Sequence, residues 1–129
     1  MKKLLMTLLF VAVTASAYAM QASYYSVESL TREGQWKISQ GRMANGKLFN
    51  ENALTCAAGK QYKLGETLRI TNIENGKTLN VVVTDRIARR FYQTRIDLSK
   101  KAFEILGGEQ GFKKGLLNIK VEVVNGSQI

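Results

Sequence analysis

One paired run near the middle of the chain, TLRITNIENGKTLNVVVTD at 67–85, limits its possible folds more than any other feature. Two β-rich stretches flank Asn75-Gly76, a dipeptide suited to the positive φ angles of a tight hairpin turn. Leu79, Val81 and Val83 alternate onto one face, because successive strand side chains point to opposite sides. By the same count Asp85 is the next residue on that face, followed at once by Arg86. A core-facing series that ends in a carboxylate has two explanations. The strand stops at a turn, with Asp85 serving the turn or pairing with Arg86, or it delivers an acid to the lip of a pocket. The pattern alone leaves both open.

The neighbouring segments extend the β reading. ASYYSV (22–27) reads as an aromatic first strand, with one of Tyr24 and Tyr25 packing inward and the other facing outward. Residues 28–51 are polar and broken by glycines, and read as a long loop with room for one helical turn. ALTCAA (53–58) is a short apolar strand. IDLSKKAFEILGG (96–108) reads as a helix capped by Ser99, with Ala102, Phe103 and Leu106 as its apolar stripe and Gly107 as its stop. In LLNIKVEVV, Leu117, Ile119, Val121 and Val123 alternate inward against Asn118, Lys120 and Glu122. Many short strands with one brief helix indicate a small, mainly β barrel.

The first residues carry a different signal. Met1-Lys2-Lys3, a short apolar run and the ending Ala17-Tyr18-Ala19 make the three parts of a secretory leader. The apolar run is shorter than the ~20 residues that span a bilayer. Cleavage is expected after Ala19, with Ala17 as the near alternative. Residues 20–129 then form one exported, soluble domain, periplasmic or secreted. No cysteine lies near the cut, so no lipid anchor is expected once the leader is removed. The net charge of +9 draws polyanions, which outside the cytoplasm means wall polymers and anionic headgroups, with nucleic acid excluded as a partner. Without a single His, and with one Cys, the chain has no His-based triad, no His-ligated metal and no Cys-rich zinc site. Any catalysis runs without a cofactor on carboxylates, hydroxyls, Lys, Arg or Tyr. Cys56 reads as a buried, inert thiol.

Two carboxylates stand out. Asp85 at a barrel lip could act as a proton donor, and Asp97 in RIDLS could share acid and base duties with it. Asp97 could equally support the start of the following helix. The arginines Arg86, Arg89, Arg90 and Arg95 could line a groove for an anionic polymer or form a solvated loop.

ASYYS, GRMANGKLFNENALTCAA, LGETLRITNIENGKTLNVVVTDR and RIDLSKKAFEILGG together resemble, in that order, the rare lipoprotein A family. The resemblance covers about residues 21–124. It implies a six-stranded double-psi β-barrel with one or two short helices, related to expansins. It further implies activity on peptidoglycan glycan strands by a monomer, through lytic transglycosylation with Asp85 as general acid and base and Asp97 as the second catalytic residue. Ser23, Tyr25, Asn45, Lys47, Asn50 and Arg86 are the implied substrate-binding positions. The family's transglycosylases typically read ANGE-x-x-D where this chain reads ANGKLFN, and a histidine expected near Ala58 or Gly59 is absent. A non-catalytic or expansin-like wall-loosening role therefore stands beside the enzymatic one.

Overall fold

The computed structural model describes residues 18–124. The expected leader lies outside them, save that Tyr18 and Ala19 open the first strand. Among the described residues six strands and three α-helices follow in this order: β1 (Tyr18–Tyr25), α1 (Val27–Arg32), α2 (Gln35–Ser39), β2 (Thr55–Ala58), β3 (Thr67–Asn72), β4 (Thr78–Arg86), β5 (Arg95–Ser99), α3 (Lys100–Lys114) and β6 (Leu117–Val123). They close into one barrel in the order β1-β5-β2-β4-β3-β6. β1 runs parallel to β5 and β2 parallel to β4, and the other pairings are antiparallel. Closure leaves no unpaired sheet edge.

Strand alternation fills the interior. Met20 and Ala22, Cys56 and Ala58, Leu68 and Ile70, Val81 and Val83, Ile96 and Leu98, and Leu117, Ile119 and Val121 are all buried. α3 closes one end of the barrel, where Phe103, fully buried, meets Tyr24 and Phe112 at centroid distances of 4.7 and 5.2 Å. Tyr24 thus faces the barrel interior, while Tyr25 on the other face is buried too, in a second cluster with Phe49, Ala57 and Ile87. Among the buried polar residues, Asn72 donates its amide to the Leu106 carbonyl at 2.9 Å, tying the hairpin to α3.

Four expectations change in detail. The segment read as one loop carries two helices; Ser26 caps α1 reciprocally with Ser29, a pairing that lacks the usual Glu or Gln three residues on. The hairpin connection spans Ile73 to Lys77, with positive φ at Gly76 (76°) and not at Asn75. Ser99 caps α3 as expected, but the helix does not stop at Gly107. It kinks at Gly108 and resumes to Lys114, and Gly111 in the second part packs where a Cβ would come within 3.1 Å of Leu117. Val123, read as inward, is 46% exposed at the strand end.

Candidate functional site

The parallel pair β2–β4 answers the question posed by Asp85. Cys56 stands opposite Val83, yet Ala57, one residue on, stands opposite Asp85. Thr84 is therefore an extra residue in β4, a bulge that advances the alternation by one. Asp85 leaves the interior face of Val81 and Val83 and joins the outer face shared by Ala57. This corrects the period-two reading.

That outer face already carries two other polar groups. Ser23 is in register with Asp97, and Asp97 is in register with Ala57. Across β1, β5, β2 and β4 the row reads Ser23, Asp97, Ala57, Asp85. Adjacent strands are ~4.8 Å apart, so only the methyl of Ala57 stands between the two aspartates along the row. A groove of about 600 Å³ opens over it, lined by Ser23, Tyr25, Asp85 and Asp97 among others. Its floor is apolar: Tyr25 stacks on Phe49 with centroids 4.3 Å apart and planes 17° from parallel, beside Ile87.

Each acid is held differently. Asp85 Oδ1 accepts from the backbone N–H groups of Ala44 (2.9 Å) and Arg86 (2.8 Å), which fix its direction. No ion pair to Arg86 exists among the described residues. Asp97 Oδ1 accepts a hydrogen bond from the Ser23 hydroxyl, and both residues line the groove. Burial raises the Asp97 pKa above the usual carboxylate range, with the charges of Glu33 and Asp85 adding to it; the Ser23 bond and Arg95 oppose the rise. Tyr25 is pushed above the ordinary phenol range by burial first and then by the charges of Asp85 and others. Its buried hydroxyl has no hydrogen-bond partner among the described residues. Burial pushes the Cys56 thiol up to about 12, which keeps it inert.

Of the remaining expected binding residues, Asn45 stands next to Asp85, its N–H donating to the Thr84 carbonyl at 3.2 Å. Asn45, Lys47 and Asn50 are exposed and do not line the groove. Asn45 and Asn50 accept from the N–H two residues on, at 3.0 and 2.9 Å, as turn residues do. Arg86 lines the groove, but its Nη1 donates to the carbonyls of Gly59 (2.8 Å) and Tyr62 (2.6 Å), so it braces the connection after β2. Sequence reasoning missed Glu33, which enters the groove from the end of α1, and the stacking partner Phe49. Neither has a local signal, since each reaches the groove through the unforeseen path of residues 27–49. Among the described residues no cluster of three or more His, Cys, Asp or Glu side chains could hold a metal ion.

The raised Asp97 gives a stability test. Between the ordinary Asp value and the raised one, the folded state binds more protons than the unfolded chain, so stability falls as pH climbs through that window. Asp97→Asn removes the buried charge and keeps an oxygen for Ser23. The variant is expected to melt above the parent at pH ~7, with the advantage gone below the unfolded value of ~3.9. Thermal melts across that range check it.

No protein-family profile matches the chain. A curated relative does: an endolytic peptidoglycan transglycosylase RlpA of Rickettsia bellii is 39% identical over 90 residues, covering 69% of this chain. The chain belongs to the RlpA-like family. This RlpA-like chain spans 37% of the length of that relative. Two solved structures share the barrel. The Streptomyces papain inhibitor superposes with a TM-score of 0.63 at 19% identity, covering 86% of this chain and 96% of the inhibitor. A mutant Clavibacter michiganensis expansin in complex with cellohexaose superposes with a TM-score of 0.60 at 20% identity, over 84% of this chain and 50% of the expansin. At such identities they speak for the fold alone, which is the double-psi β-barrel expected. The RlpA-like departures at Lys47 and Asn50 fall on residues outside the groove lining, while Asp85 and Asp97 lie within it.

Proposed function

We propose that this protein is exported and cleaves peptidoglycan glycan strands by lytic transglycosylation in the groove over Ala57. One observation carries the reading: the bulge at Thr84 turns Asp85 onto the face that already holds Asp97 and Ser23. Kinship with proteins named endolytic peptidoglycan transglycosylases supplies the substrate class.

Asp85 in its protonated form gives its proton to the glycosidic oxygen as the bond to the anomeric carbon breaks, and the departing sugar leaves as an alcohol. The sugar that keeps the anomeric carbon closes on it with its own 6-hydroxyl. That hydroxyl's proton passes to the Asp85 carboxylate, which restores the acid. No water is consumed, and one product ends in an anhydro sugar. The backbone N–H groups of Ala44 and Arg86 hold one oxygen of Asp85, leaving Oδ2 for the exchange. Tyr25 and Phe49, stacked and buried beneath the row, form the apolar floor under the bound strand.

A second assignment of roles has its own support. Asp97 is the carboxyl whose pKa burial raises, so it keeps a proton to higher pH than an ordinary Asp. In that version Asp97 donates, Asp85 takes the hydroxyl proton, and exchange with solvent then returns a proton to Asp97 and removes one from Asp85. Asp97→Asn distinguishes the two, with a fall of about 10-fold in kcat/KM if it only positions the sugar and at least ~100-fold if it donates.

The test of the activity is incubation with peptide-free glycan strands, followed by mass spectrometry. Fragments whose masses sum to the parent, with anhydro ends, are expected. Sedimentation with sacculi but no such ends would make the protein a binder and overturn the catalytic reading.

A further inference from the structure

We propose that the groove carries an anion subsite, built by Arg90 and Arg95, that takes a carboxylate borne by the glycan. The inference rests on the glycan reading above and adds which substituent the groove selects.

The observation is a pair of cations fixed on one ring. The guanidinium carbons of Arg90 and Arg95 stand 4.7 and 4.6 Å from the centroid of Phe91, and all three residues line the groove with Asp85 and Asp97. Phe91 belongs to a short 3₁₀ turn, Arg89–Phe91, and Arg95 begins β5, so the two arginines come from opposite ends of one short connection. Stacking on a ring face orients a guanidinium and lowers the entropy lost when it binds. Both guanidiniums line the groove without a carboxylate partner among the described residues, so an anion that enters it meets two unneutralised cations.

No carboxylate of the protein fills that role among the described residues. Every ion pair present there involves other side chains: Arg32 with Glu28, Lys101 with Glu104, Lys114 with Glu74 and Lys120 with Glu122. Arg95 acts on Asp97 through space and lowers its pKa, without a contact within ion-pair distance. Arg86, by contrast, is occupied by backbone carbonyls and is no part of the subsite. The groove therefore holds carboxylates at Asp85, Asp97 and Glu33 and two oriented guanidiniums, Arg95 two residues before Asp97 on β5 and Arg90 in the turn before it. A neutral sugar polymer leaves the arginines unpaired. A glycan bearing free carboxylates places one against them while a neighbouring linkage lies over Asp85. Planar guanidinium matches carboxylate with two parallel N–H donors, which a Lys would not do.

The test compares three probes on the intact protein: peptide-free peptidoglycan strands, the same strands with their carboxyls converted to methylamides, and neutral chitin oligomers. Binding to the anionic strands is expected to be at least ~10-fold tighter than to either neutral probe, and to weaken with salt while theirs does not. Arg90→Gln, on an exposed side chain, and Arg95→Gln are each expected to erase most of that preference while leaving binding to chitin oligomers unchanged. Melting temperatures confirm that both variants fold. Equal binding of anionic and amidated strands, or an undiminished preference in both variants, would overturn the subsite and leave the glycan reading intact. Failure of the parent protein to bind any of the three probes would overturn both.

Discussion

Asp85→Asn is expected to lower glycan cleavage by at least ~100-fold with the fold intact, since a positioned acid and base contributes on the order of 10²–10⁴ in rate. The substitution is close to isosteric. The Asn side-chain oxygen still accepts from Ala44 and Arg86, so the loop that carries Ala44 stays in place. What is lost is the exchangeable proton. Both assignments of roles need Asp85, in one as donor and acceptor and in the other as acceptor, so the loss is expected in either. Binding of glycan strands by the variant is expected to stay within a few-fold of the parent. Undiminished cleavage would remove Asp85 from the mechanism.

Phe103→Ala carries the largest expected cost to the fold. Phe103 is fully buried, packs in a three-ring cluster with Tyr24 and Phe112, and approaches Gly111 after the kink in α3. Truncating such a residue costs ~3–5 kcal/mol, from lost transfer energy and the cavity left behind. A domain of this size holds only ~5–15 kcal/mol in total. A fall in melting temperature on the order of 15 °C or more is expected, read by calorimetry or circular dichroism. The interior cluster around Phe103 is separate from the cluster under the groove. The folded fraction is therefore expected to keep its glycan affinity, which separates a stability defect from a site defect.

Much of the barrel was legible because its signals are local and periodic. β6 shows its buried face at Leu117, Ile119 and Val121, the apolar runs of β3 and β4 flank a glycine with positive φ, and Ser99 accepts from the Ala102 N–H at the start of α3. The bulge was not legible. Val83, Thr84 and Asp85 look like any strand end, and the extra residue shows only against β2, a partner more than twenty positions away. Period-two counting thus put Asp85 on the right strand and the wrong face. The same limit explains Asn45, Lys47 and Asn50. Motif order marks them as binding positions, while only the fold shows them exposed on the loop whose Ala44 N–H reaches Asp85. Glu33 was invisible for the converse reason, since only the fold of α1 carries it to the groove.

The most direct measurement is a crystal structure of Asp85→Asn with a peptide-free glycan fragment, because the variant should hold the strand uncut. The expected result is a sugar ring seated over Tyr25 and Phe49, with a glycosidic oxygen within ~3 Å of the residue 85 side chain. A glycan bound on any other face of the barrel, or seated with its linkages turned away from both acids, would contradict it.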